Sequence, residues 1–265
     1  MTVDPGVAAL PAPRVALMQP IFMPWQGYFG LIAAADCFVF LDDLQFCRRS
    51  FDHRNRMLQA DGSVYWLTMP VAHAGSEDRG RFNAAAPQLD ARLRRKLLLT
   101  LRSSYARTEF FAAVFPAIEE WLAAEWRTLA DLNIDFIKRV TAMLEYTVDF
   151  RLSSTLRVEG KRSALLAQLV RETGAQTYLS AKGSFGYMRE DGVFPLAGIA
   201  TMFQDFVPRP YPQVQSPSFV SHLSVLDALF QVGPERTRAL VSEGQQPFVS
   251  WPQMLSAADR SSSAG

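Results

Sequence analysis

The period of the apolar positions changes several times along the chain, and each change predicts an element. Arg14-Val-Ala-Leu-Met18 is an unbroken apolar run stopped by Gln19-Pro20. That is the pattern of a buried strand, since proline cannot continue a hydrogen-bonded ladder. Pro24 to Phe29 leads into Leu31-Ile-Ala-Ala-Ala35, a helix, and Cys37-Phe-Val-Phe-Leu41 is a second strand ended by Asp42-Asp43. Strand, loop, helix, strand predicts a βαβ unit with parallel pairing. Ligand crevices of such sheets lie outside the carboxyl ends of the strands, which is where Gln19, Asp42 and Asp43 are expected.

Ser63 to Val71 alternates and is aromatic, which predicts a third strand. The middle of the chain predicts helices. Leu89 to Ser104 sets Leu93, Leu97, Leu98 and Leu101 on one face, and Phe110 to Leu144 supplies one or two more, with Phe115-Pro116 as the place for a break. Ser163 to Thr173 reads as a helix capped by Gly174, Thr177 to Ser180 as a strand, and Ala181 to Tyr187 as a glycine-containing loop. Ile199 to Phe206 is the final expected strand; Pro208, Pro210 and Pro212 then impose an extended passage into Phe219 to Phe230, whose second half is helical. The expected fold class is α/β: a mostly parallel, Rossmann-like three-layer sheet with an inserted helical segment at 88–150. Residues 1–13 are expected to be a flexible N-terminus, 14–240 a single domain, and 241–265 a peripheral tail whose last ten residues fray.

Composition narrows the class. Of 265 residues 49% are hydrophobic and 20% charged, enough apolar surface for a core and too much for a disordered chain. Lys+Arg 27 against Asp+Glu 26 leaves a net charge of +1, so nothing in the overall balance points to nucleic acid. The start lacks the basic-then-apolar order of a signal peptide, and apolar stretches such as Gly27 to Phe40 are interrupted by Asp36. A cytoplasmic protein without a membrane span is expected. Cys37 and Cys47 cannot build a disulfide scaffold, and without HExxH, paired-cysteine or clustered-histidine spacing no tightly held metal is expected.

The densest polar cluster runs from Asp42 to Arg56 and holds three acids, four arginines, His53 and Cys47, with Phe46 and Phe51 interleaved. Read blandly it is a solvated loop of weak salt bridges. Read functionally, arginine forks suit phosphate, carboxylate or a carbonyl acquiring charge. Asp42 and Asp43 could hold those arginines in place, or one of them, preferably Asp43, could serve as a general base, only one because neighbours on a strand face opposite ways. Cys47 beside Arg48 and Arg49 would have its thiolate favoured if exposed, with His53 the nearest base; otherwise it is a small half-buried hydrophobe. His73 and His222 are isolated histidines, for which a surface or satisfied role is the simpler reading. Lys182 to Tyr187 could cradle an anion or be an ordinary turn, and it carries neither GxxxxGK[ST] nor GxGxxG. No GxSxG elbow supports a hydrolase triad.

Met18-Gln-Pro-Ile-Phe-Met-Pro-Trp-Gln-Gly-Tyr-Phe29 resembles the opening motif of the WbqC-like family. The resemblance continues through Ala35 to Phe46, Arg48-Arg49, Arg54-Asn-Arg56, Trp66 to Val71, Leu132-Asn133, Gly174 to Ser180, Tyr211-Pro-Gln213 and Leu223 to Asp227. It implies a link to bacterial surface-polysaccharide or specialised-metabolite biosynthesis, and a suspected transfer of acyl or aminoacyl groups to an amine. The matching polar positions are Gln19, Tyr28, Asp43, Gln45, Arg48, Arg54, Asn55 and Arg56, taken as substrate-binding apart from Asp43. Met18 stands where the family usually has histidine, the Leu97 region lacks a second one, and Asp52-His53 replaces an amide-containing pair. The base would then be Asp43 or His53, with Cys47 as the other candidate catalytic group.

The expected function is an acyl- or aminoacyltransferase acting on an amino sugar or metabolite amine. No cofactor is expected to be tightly bound; the donor would be a thioester on coenzyme A or on the phosphopantetheine arm of an acyl or peptidyl carrier protein. The alternatives are a non-catalytic binding subunit for a sugar nucleotide or carrier protein, and an adenylating enzyme using ATP, which the missing HxGH histidines disfavour.

Overall fold

The computed structural model describes residues 10–72 and 80–262. Strands β1 (Arg14–Met18), β2 (Cys37–Phe40), β5 (Asp149–Leu152), β6 (Thr177–Ala181), β7 (Ala200–Phe206) and β8 (Gln245–Ser250) form one six-stranded sheet in the order β5-β2-β1-β6-β7-β8. All its pairings are parallel except β7 with β8. The mixed α/β, Rossmann-like class expected from the pattern is the fold observed.

Alternation along the strands makes the layers. On β1, Ala16 faces one core while Val15 and Leu17 face the other; on β2, Phe38 and Phe40 oppose Cys37, Val39 and Leu41. The first core is closed by helices α1 (Gln26–Ala34), α2 (Ala91–Tyr105), α3 (Phe111–Ala123), α4 (Leu129–Met143) and α7 (Val225–Gly244). The second is closed by α5 (Arg162–Glu172), α6 (Phe185–Asp191) and α8 (Trp251–Ser262). Helices on both faces explain why the central strands are continuously apolar.

Several local expectations are corrected. Ser63 to Val71 yields a shorter strand, β4 (Val64–Thr68), which pairs with β3 (Arg54–Leu58) in a separate antiparallel arm and not with the main sheet. Thus Arg54, Asn55 and Arg56 stand on a strand, where the polar cluster had predicted a loop. Helix α3 runs through Pro116; the helix loses one N–H donor there while Val114, Phe115, Ile118, Trp121 and Leu122 stay buried. Ala181 to Tyr187 forms a 3-10 turn and the start of α6. Strand β5 begins at the end of the segment 88–150 expected to be helical, overlapping it by two residues. The tail expected to be peripheral supplies edge strand β8, which tolerates Pro247, and Trp251, 6% exposed, packs on Phe185, Phe194 and Phe203. Residues 1–9, 263–265 and His73 lie outside the described residues.

Helix α7 bends at Gly233, whose φ of 75° is left-handed and where a Cβ would meet the Phe110 ring at 2.5 Å. The helix therefore resumes at Pro234 in a new direction.

Candidate functional site

From β1 the chain moves outward to β2 and β5, then returns to the other side of β1 for β6 and β7. The order reverses between β1 and β6, and a crevice is expected outside their carboxyl ends. A cavity of about 410 Å³ lies there. It is lined by Leu17 and Met18 of β1 with Gln19 after it, by Tyr178, Ser180 and Ala181 of β6, and by Ile21, Leu41 and Leu44. Arg162, Leu165 and Leu166 of α5, with Ser184 and Tyr187, complete the lining.

The polar groups in this mainly apolar crevice are ordered. Ser184 Oγ donates to the Ala181 carbonyl at 2.7 Å, so it can only accept from Ser180 Oγ at 2.7 Å, which in turn accepts from the Tyr178 hydroxyl at 3.2 Å. Every proton of that relay is committed. Burial pushes the Tyr187 hydroxyl up, with nearby Asp191 adding to the shift, so it remains an O–H donor at neutral pH. Arg162 stands at the mouth, paired with Asp191 at 3.2 Å. Gln19 is half-buried; its carbonyl accepts from the Tyr28 hydroxyl at 3.0 Å, while its side-chain amide has no hydrogen-bond partner among the described residues.

Of the residues expected to be catalytic or substrate-binding, the crevice lining takes in Gln19 alone. Asp43 lies beside it, between the lining residues Leu41 and Leu44, and accepts from Ser153 Oγ. Asp42 is buried and accepts from Ser153 Oγ at 3.1 Å, from Ser154 N–H at 3.0 Å and from Ser154 Oγ at 2.7 Å. Tyr28 is 1% exposed and turned into the core.

The rest of the cluster belongs to the β3–β4 arm. Asn55, 1% exposed, donates to the Phe22 and Met23 carbonyls at 3.1 and 2.9 Å and so fixes the turn after β1, where Met23 has a φ of 44°. His53 Nδ1 meets the Met69 carbonyl at 3.0 Å, and the Arg49 N–H reaches Nε2 at 3.2 Å. A carbonyl only accepts, so Nδ1 is assigned the proton and Nε2 the lone pair; both nitrogens serve the backbone. Cys47 is exposed, yet burial of its thiol, with Asp52 nearby, raises its pKa, contrary to the thiolate expected from its arginine neighbours. Asp52 is buried, raised by that burial, and accepts from the Cys47 N–H at 2.8 Å. Gln45 and Arg48 are exposed on the approach to the arm. Arg56 donates to the Ser221 and His222 carbonyls at 3.2 and 2.9 Å, and the His222 ring stacks on Trp25.

Ser184 and Tyr187 come from the Lys182 to Tyr187 stretch read as an anion cradle or an ordinary turn, and Ser180 ends a stretch of the family resemblance; Arg162 was missed by sequence reasoning. Met18 lines the crevice at the very position where the resemblance calls for histidine. In a larger depression of about 800 Å³ beside the α7 bend, Arg238 pairs with Glu145 and Arg236 with Glu243. Among the described residues there is no cluster of three or more His, Cys, Asp or Glu placed for a metal, and no helix long and apolar enough to cross a membrane.

Fold and crevice together define a Rossmann-like α/β protein with its cleft at the reversal of strand order. The chain belongs to the WbqC-like protein family, whose pattern matches residues 19–239. It is similar to the protein of Mycobacterium tuberculosis (strain ATCC 25618 / H37Rv) named "Uncharacterized protein Rv1507c", with 30% identity over 233 residues, 84% of this chain and 95% of that one. No solved structure matches the chain.

Proposed function

We propose that the chain is a cytoplasmic acyl- or aminoacyltransferase that carries an acyl group from a thioester to an amine in the crevice outside β1 and β6. The observation that supports this best is the unengaged Gln19 amide in a mainly apolar crevice that Tyr187 and Arg162 also line. The acceptor nitrogen attacks the thioester carbonyl carbon, the C–S bond breaks, and the nitrogen's proton ends on the departing sulfur. Gln19 and Tyr187 donate hydrogen bonds to the oxyanion that forms, while Asp43 holds the ammonium form of the acceptor and takes its proton. The apolar walls take the acyl chain and exclude water, which lengthens the life of the thioester.

A second reading, a binding subunit without turnover, is favoured by one fact: His53, Asp42 and the Tyr178–Ser180–Ser184 relay are all tied to partners inside the protein. The experiment is amide formation from acetyl-pantetheine and acetyl-coenzyme A with a panel of amino sugars, followed by mass spectrometry. Turnover lost by at least ten-fold in Gln19→Ala and Asp43→Asn, with folding retained, supports transfer. Saturable binding of the same compounds without any amide product selects the second reading.

A further inference from the structure

The four arginines that first drew attention do not line the crevice, and the arm that carries them has a surface of its own. Residues Asn55, Met57 and Leu67 of β3 and β4 turn inward, while Arg54, Arg56, Val64 and Trp66 stand on the outer side. Among the described residues the exposed large apolar side chains include Phe51 at 47%, Val64 at 43% and Trp66 at 42%, all three on this arm or its approach. Isolated exposed apolar residues are ordinary, but a contiguous group rimmed by polar ones marks a binding surface.

Its chemistry is specific. The Arg54 guanidinium lies over the Trp66 ring, 4.3 Å from the centroid, and the Phe51 ring sits 5.6 Å from Trp66. Arg54 donates to the Arg49 carbonyl and Arg56 to those of Ser221 and His222, all neutral partners that leave the positive charge in place. The acids nearby do not cancel it. Asp52 is buried against the Cys47 N–H, and Asp61 at the hairpin tip accepts from Ser63. Two exposed aromatic rings beside uncompensated guanidinium forks match a flat heterocycle joined to phosphates.

The arm also adjoins the crevice. Ile21 lines the crevice, and the next residue, Phe22, donates its N–H to the Phe51 carbonyl at 2.9 Å. We propose that this face of the arm binds a nucleoside diphosphate, its base stacked on Trp66 and Phe51 and its phosphates on Arg54 and Arg49. The inference deepens the transferase reading, on which its choice of donor rests. A thioester carried by a nucleotide, as in coenzyme A, would be gripped on the arm while its acyl end enters the crevice.

The test is titration of the full chain with ADP, UDP, 3′-phospho-ADP and inorganic diphosphate by calorimetry, with tryptophan fluorescence as a second signal. ADP or a relative is expected to bind, to quench tryptophan emission, and to weaken as salt is raised. Trp66→Ala and Arg54→Gln are each expected to weaken it about ten-fold, with Phe51→Ala, at the most exposed of the three positions, as a third check whose fold is least at risk. Preference for 3′-phospho-ADP identifies a coenzyme A donor; preference for UDP identifies a sugar nucleotide. Absence of nucleotide affinity, equal affinity for bare diphosphate, or no effect of Trp66→Ala overturns the proposal, as does self-association abolished by that substitution in sedimentation. The transferase reading fails separately. Turnover from acetyl-pantetheine without nucleotide affinity removes only the arm, whereas Trp66-dependent ADP affinity without turnover from any thioester removes only the transferase.

Discussion

The arm is held by a buried hydrogen-bond network whose strength can be ranked residue by residue. Asp227, 0% exposed, accepts from the Tyr105 hydroxyl at 2.9 Å, from the Tyr211 hydroxyl at 2.7 Å and from Gln213 Nε2 at 2.8 Å. Tyr105 has a second duty: its oxygen accepts the Leu58 N–H at 3.0 Å at the end of β3. Tyr105→Phe therefore removes one bond to a carboxyl and also orphans a buried N–H, for about 3–4 kcal/mol in all. Tyr211→Phe removes one bond from an oxygen that keeps Gln213, for about 1–2 kcal/mol. At about 2–4 °C per kcal/mol for a chain of this size, the first variant should melt roughly 6–16 °C lower and the second roughly 2–8 °C lower. Thermal unfolding by circular dichroism measures both, and hydrogen exchange should show faster opening at the Leu58 amide in Tyr105→Phe only. A Tyr211→Phe loss equal to or larger than that of Tyr105→Phe would refute the assigned network.

The sheet was legible because its strands are buried on both faces and therefore read as apolar runs. Arg14 to Met18, Cys37 to Leu41 and Thr177 to Ser180 all lie within a residue or so of β1, β2 and β6. Elements stabilised by tertiary context were not. Gln245 to Ser250 carries two glutamines and a proline, and becomes a strand only because β7 offers an edge. Arg54-Asn-Arg56 looks like solvated charge, and its alternation acquires meaning only once Asn55 is seen clasping the turn after β1. The candidate site was half legible. Strand ends located Gln19 and Asp43, and the glycine-containing stretch ending at Tyr187 pointed to that residue, but Arg162 comes from a helix whose face toward the crevice carries no local signal. Charge density marked the arm and not the crevice.

The remaining expectations address the edge, the acid limb and the crevice. Trp251→Ala should cost about 3–5 kcal/mol by loss of packing on three phenylalanines, measurable as a fall in melting temperature; a loss under about 1 kcal/mol would return the C-terminal segment to a peripheral role. Asp36 is held below the ordinary carboxylate range chiefly by its hydrogen bond to Arg14. Its contribution is complete above its unfolded pKa of about 3.9 and is lost as pH falls through the lower folded value, so wild type and Asp36→Asn should converge in stability only below about pH 4; the pair is partly exposed, which keeps the difference under about 1 kcal/mol. Met18→His, finally, asks whether the crevice is short of a base. Met18 is half-buried beside Gln19, so in the proposed reaction an imidazole there would join Asp43 as a base toward the acceptor nitrogen. Amide formation should rise several-fold, with a new pH limb near the ordinary histidine value of about 6.5. Turnover that stays flat across that range would mean that proton removal does not limit the reaction, and that the group at this position shapes the crevice without doing its chemistry.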